Sequence, residues 1–246
     1  ALPVSFEHVG ALDLSGVGLT ENSDGFLRAF PKLRSLTLNH NRLGALPDAV
    51  GQCEHLIRLS ASYNDLGASD EWQRQVRSLR HLQSLDLSVN RLVSLDVTGL
   101  EQLQALDVSG NLLWDWPQGV LQAPALATLD LSGNRIQIIP PDAFLPGHAA
   151  LMAGTNLSDN IYLEQVELIR LQEYLQETGR GLGFTSQQIE RHLEGFGPES
   201  SEGSEASDEE DHPDHESPQA RRSRWVSGGA ADSGKHHVSS YLMEQD

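Results

Sequence analysis

A solenoid of short parallel strands, an α/β repeat fold, is what this 246-residue sequence predicts, and three observations predict it. The first is a phrase that returns along the chain, as "SLDLSVNRL" at 84–92, "ALDVSGNLL" at 105–113 and "TLDLSGNRI" at 128–136. The second is a fixed set of apolar places around one asparagine, L-x-x-L-x-L-x-x-N-x-L. It is met at Leu33/Leu36/Leu38/Asn41/Leu43, Leu56/Leu59/Ala61/Asn64/Leu66, Leu82/Leu85/Leu87/Asn90/Leu92, Leu103/Leu106/Val108/Asn111/Leu113 and Leu126/Leu129/Leu131/Asn134/Ile136. The third is a degenerate copy at each end, Val9/Leu12/Leu14/Val17/Leu19 and Met152/Thr155/Leu157/Asn160/Tyr162, which brings the count to seven.

The asparagine positions, with Val17 standing in the first, are 24, 23, 26, 21, 23 and 26 residues apart. That is the period of a leucine-rich repeat solenoid, one strand and one return segment per coil. In L-x-L the two leucines are one strand period apart, so both enter the coil while the residues between them face outward. The asparagine falls where the strand turns away, and its amide can donate to and accept from backbone groups that the bend leaves without ladder partners. Its role is structural. An apolar residue recurs five places later, at Leu46, Leu95, Trp116 and Ile139, and Pro47, Pro117 and Pro140 follow three of them. The return side is therefore packed and extended or turned, with no long helix.

The repeats need closing at both ends. At the start, Leu2, Val4 and Phe6 are placed to cover the open core. After Tyr162 the period becomes helical: Leu168, Leu171 and Leu175 share a face, and Gly179 is placed to end the helix in a left-handed conformation. Thr185 followed by Gln188 spells a capping box for a second helix through about Leu193. The organisation expected is a solenoid over 1–162, a helical cap over 163–196 and a disordered acidic linker over 197–237. In "GPESSEGSEASDEEDHPDHESPQ" nine acids stand without Lys, Arg or a large apolar residue, too little apolar surface to offset ordering. Residues 238–246, "VSSYLMEQD", read as the start of a following domain, and the chain as a piece of something longer.

Charge bounds the partners. Acids outnumber Lys and Arg 35 to 17, which argues against phosphate-backbone binding and nucleic acid. Residues 1–162 carry 17 acids and 10 bases, and 163–246 carry 18 and 7. No stretch has the roughly 18 apolar residues of a membrane span. A single cysteine excludes an internal disulfide and points to a reducing compartment at the site of action.

Candidate chemistry is sparse. "GRGLG" at 179–183 follows a helix instead of leading from a strand into one, and no Lys-Ser/Thr follows, so a helix stop fits better than a phosphate loop. "HPDH" and His236-His237 lie in polar linker without a second ligand set, and no metal or cofactor is expected. Cys53 has His55 nearby but no pocket or oxyanion site in the pattern, which makes it a packed thiol. Trp116 takes a return-side core position, whereas Trp114 aligns with Gly44, Val93 and Gln137 and is a contact candidate.

The informative surface is the outward side of the strands, the concave face. It is small-residued and mildly acidic through Asp13, Asp86, Asp107 and Asp130, with larger groups around His40, Arg58 and Tyr63. Adding Thr37, Asn39, Ser60 and Trp114 completes the expected partner-binding set, suited to a protein with basic groups. The competing explanation is that "LDLS" is simply common wording for such repeats.

The phrases around the repeats carry a resemblance. "LPVSFEHVGALDLSGVGL", "FLRAFPKLRSLTLNHNRLGALP", "WDWPQGVLQAPALATLDLSGNRIQIIPPDAF", "GTNLSDN" and "LIRLQEYLQETG" resemble the leucine-rich repeat region of large bacterial toxin-like effectors, over roughly residues 2–183. In that family the repeats precede a C-terminal NEL-type ubiquitin ligase domain and often follow a dermonecrotic-toxin-like region. The resemblance implies substrate recognition by this segment, restraint of the ligase before a target docks, and secretion from the bacterial cytoplasm into the host cytoplasm. It also implies that ubiquitin and its conjugating enzyme meet only the downstream domain. The family's catalytic cysteine lies in a Cys-x-Asp motif. Cys53-Glu54-His55 does not match it, so no residue here inherits that role. The same residues also fit a scaffold or adaptor without an enzymatic domain.

Overall fold

The computed structural model describes residues 5–20, 24–67 and 69–195. The chain divides into two units, 1–210 and 211–246, and all described residues belong to the first. Leu2, Val4, the acidic segment from 197, the two histidine groups and "VSSYLMEQD" lie outside the described residues.

Seven short strands form one open parallel sheet in sequence order: β1 Ala11–Asp13, β2 Ser35–Thr37, β3 Arg58–Ser60, β4 Ser84–Asp86, β5 Ala105–Asp107, β6 Thr128–Asp130 and β7 Thr155–Asn156. The inward leucines are in register from strand to strand: Leu12, Leu36, Leu59, Leu85, Leu106 and Leu129 pair in turn. From Leu36 to Leu129 each of these is at most 1% exposed. Burying each stabilises the coil by roughly 1.5–3 kcal/mol. The architecture is a leucine-rich repeat solenoid, as the spacing predicts.

The asparagines join the coils. Asn111 Nδ2 donates to Val108 O of its own repeat and Leu87 O of the repeat before, both at 3.0 Å, while its Oδ1 accepts from Leu92 N at 3.0 Å. Asn90, Asn134 and Asn160 repeat this arrangement. Val17, which stands in the first place of this column, is exposed.

Two departures from the sequence reading have local causes. The return side is not uniformly extended or turned: α2, Asp70–Ser78, is a nine-residue helix in the third repeat. Ser69 caps it by accepting from Glu71 N, and its buried Trp72 fills the core in place of the apolar-Pro pair found in other repeats. Elsewhere the return side holds 3-10 turns such as Asp48–Gln52, Val120–Gln122 and Pro141–Phe144, which suit the preceding prolines. In the last repeat Tyr162 does not take the inward place: it is 49% exposed, and the next residue, Leu163, is buried instead.

A short α1, Asp24–Leu27, lies near the start, where Phe6 stacks on Phe30 at 5.1 Å. After α3, Ala149–Ala153, and β7 come α4, Gln165–Thr178, and α5, Ser186–Glu194. Leu168, Leu171 and Ile189 are buried, and Leu157 N donates to Leu182 O, so the segment between the helices continues the ladder beyond β7. Gly179 ends α4 at φ 71°, and Thr185 and Gln188 form both halves of the capping box.

Candidate protein-binding face

The strand register decides what the outward face presents. Asp13, Thr37, Ser60, Asp86, Asp107, Asp130 and Asn156 are successive partners, so one side chain per repeat lines a single row across the sheet. Asp86, Asp107 and Asp130 thus stand on adjacent strands, about 4.8 Å apart. Each carboxylate is also used by its own repeat. Asp107 Oδ1 accepts from Ser109 N at 2.9 Å and from Ser109 Oγ at 2.7 Å, and Asp13, Asp86 and Asp130 hold Ser15, Ser88 and Ser132 in the same way. The Asp-x-Ser pair is therefore a turn device that closes the strand. At Asp13 these bonds from the Ser15 hydroxyl and amide hold the carboxyl below the usual aspartate range.

Neighbouring rows carry the other sequence-predicted residues. Asn39 Oδ1 accepts from Ser62 N at 2.8 Å, and Ser60 Oγ lies 2.8 Å from that oxygen and 2.7 Å from Asp86 Oδ2, its one proton serving either. Arg58, at the start of β3, is exposed on the opposite margin. His40 and Tyr63 leave the face for the margin beside the asparagine column and stack on each other, 4.4 Å between ring centroids with an interplanar angle of 21°. Trp114 is half-buried and apart from them: the Arg135 guanidinium lies 5.5 Å from its ring, and Tyr162 stands 6.0 Å away.

The face is thus a small polar strip with its larger side chains at its edge. Sequence reasoning missed Arg42, Val89, Arg135 and Tyr162 there. The signal for the first two lay beside the asparagines, where Gly16, Gly110 and Gly133 hold the column that His40, Tyr63 and Val89 share.

The remaining candidates serve the fold. Cys53 is buried, its thiol reaches Ala49 O at 3.4 Å, and burial pushes its pKa up, against the thiolate a nucleophile needs. Among the described residues no cluster of three or more His, Cys, Asp or Glu is placed to hold a metal, and no helix is long and apolar enough to cross a membrane.

Comparison with known repeat families agrees with this geometry. Two leucine rich repeat families match, over residues 101–146 and 32–53. These repeats are leucine-rich repeats. Mouse podocan is 34% identical over 120 residues, 46% of this chain and 18% of podocan. Rat leucine-rich repeat-containing G-protein coupled receptor 5 is 35% identical over 134 residues, 52% of this chain and 14% of the receptor. The solenoid thus spans less than a fifth of these relatives. Among solved structures, internalin C2 of Listeria monocytogenes aligns with a TM-score of 0.47 at 20% identity, over 57% of this chain and 59% of the internalin. The leucine-rich repeat ectodomain of the Arabidopsis thaliana receptor kinase SOBIR1 aligns at 0.40 and 26%, over 52% and 71%.

Proposed function

We propose that this solenoid is the target-recognition segment of a larger bacterial effector ubiquitin ligase, binding a protein with basic groups on its concave face. The observation that carries recognition is the register. Asp86, Asp107 and Asp130 form one row among neighbours as small as Ala105, Ser88 and Ser109, leaving a strip that an extended segment can approach. One oxygen of each carboxylate is spent on its turn, and the second oxygens of Asp86 and Asp130 also meet Ser60 Oγ and Asn156 Nδ2, but the row faces outward. The assignment to a ligase rests on the resemblance of the phrases between residues 2 and 183, and the chemistry belongs to a domain outside this chain.

The test uses the parent protein. Its reading frame beyond Asp246 is expected to encode a helical domain bearing Cys-x-Asp, and single-turnover mixing with charged conjugating enzyme should trap ubiquitin on that cysteine as a reductant-sensitive thioester. In the same protein, Asp86→Asn, Asp107→Asn and Asp130→Asn together should preserve folding, because Asn156 already serves its turn by accepting from Ser158 N. The triple variant should lose target modification and keep the thioester. A frame without Cys-x-Asp would leave a non-enzymatic binding scaffold.

A further inference from the structure

The residue before each asparagine-column position is left-handed in all seven repeats, with φ between 52° and 64° at Gly16, His40, Tyr63, Val89, Gly110, Gly133 and Asp159. That conformation suits glycine and is tolerated by aspartate and histidine, whereas it is strained for large and β-branched side chains. Three consecutive repeats place a histidine, a tyrosine and a valine there, the last two against that preference. The core does not need them: Tyr63 is 52% and Val89 40% exposed. The ridge also has a definite end. A Cβ on Gly110 would stand 3.4 Å from Val89 Cγ2, and glycine at that place keeps the next repeat low.

With Arg42, these three side chains line a shallow hollow of about 410 Å³. Arg42 is itself left-handed, at φ 58°, where the first repeat has Gly18. Arg77, Arg91 and Arg170 are paired with Asp96, Asp65 and Glu167, and Arg135 covers Trp114. Arg42 has no such side-chain partner among the described residues. In a chain of net charge −18, the unpaired guanidinium of Arg42 therefore shares a hollow with a stacked aromatic pair. Such a pair offers a flat apolar seat, and Arg42 offers charge-assisted bonds to carboxylates.

We infer that the margin formed by His40, Arg42, Tyr63 and Val89 is a docking site for a segment of another protein in which an aromatic or aliphatic side chain lies beside an acidic one. This rests on the protein-recognition reading above and adds a second contact of opposite charge to the acidic row. A target segment lying across the sheet would meet the aspartates with basic groups and this margin with an apolar-acidic one.

Fluorescence anisotropy of the intact chain tests it, with labelled short peptides in which one phenylalanine is flanked by glutamates, by lysines or by serines. The glutamate series should bind best. Arg42→Gly and Tyr63→Asn, both suited to a left-handed backbone, should each weaken that binding roughly tenfold or more. Val89→Gly should weaken it too while leaving the thermal midpoint at or above that of the parent, because the fold is relieved of strain. Equal binding of the three series, or binding unchanged by these substitutions, overturns the assignment. So does a fall in midpoint with Val89→Gly, which would make the side chain part of the fold. Binding lost only in the Asp86, Asp107 and Asp130 variant overturns this site and leaves the concave face standing, and binding of no peptide overturns it while leaving the thioester result untouched.

Discussion

At the scale of single residues, Asn111 shows why one polar side chain is fixed in an apolar repeat. It is 4% exposed and joins backbone groups of two coils through both ends of its amide. An aspartate could not donate and would leave two carbonyls without their partner, and a leucine could do neither and would leave the N–H without one as well. Each such orphan costs about 1–3 kcal/mol. Asn111→Ala should therefore destabilise the solenoid by roughly 3 kcal/mol, read as a lower urea midpoint with the slope unchanged. Val17→Ala should change the midpoint little, because Val17 is 60% exposed. A comparable loss at both positions would mean that the asparagine column is not what joins the coils.

At the scale of elements, what is local was legible in the sequence and what is relational was not. The capping box of α5 is written within four residues, and the structure closes both of its bonds: Gln188 N donates to Thr185 Oγ1 at 3.2 Å and Thr185 N to Gln188 Oε1 at 2.8 Å. Thr185→Ala should cost about 1 kcal/mol. The loss should be confined to α5, appearing as faster amide exchange in 186–194 with β4 and β5 unchanged. The strands were equally legible, because leucines two apart have only one way to share a face. Helix α2 was not, since the expectation for the return side came from repeats with an apolar-Pro pair, and the third repeat has Ser69 where the apolar residue stands elsewhere. The acidic row is legible in the sequence, but its second role is not: that Asp107 holds Ser109 depends on where the strand ends. His40 and Tyr63 were named for their size, yet their stacking and the hollow they share with Val89 arise from a backbone conformation that no single repeat reveals.

At the scale of the molecule, stability follows from stacking in one dimension, each coil touching only its neighbours. The two ends differ. Leu12, Leu14 and Leu19 of the first repeat are half-buried, whereas Leu36, Leu38 and Leu43 in the second are at most 1% exposed. The far end continues into Leu182, and the buried Phe184 and Ile189 follow. One amide per repeat makes this difference measurable, because the same place in each coil donates across the ladder: Leu14 N to Thr37 O, Leu38 N to Ser60 O, Leu87 N to Asp107 O, Val108 N to Asp130 O and Leu157 N to Leu182 O. These bonds run from 2.7 to 3.0 Å, so differences in exchange report opening free energy and not bond geometry. Native-state hydrogen exchange should find Leu14 least protected, about a hundredfold or more below Leu87 and Val108, with Leu157 close to the middle of the series. Equal protection at Leu14 and Val108 would mean that the coils open as one cooperative unit. A weakly held Leu157 would instead show that α4 and α5 add little at that end.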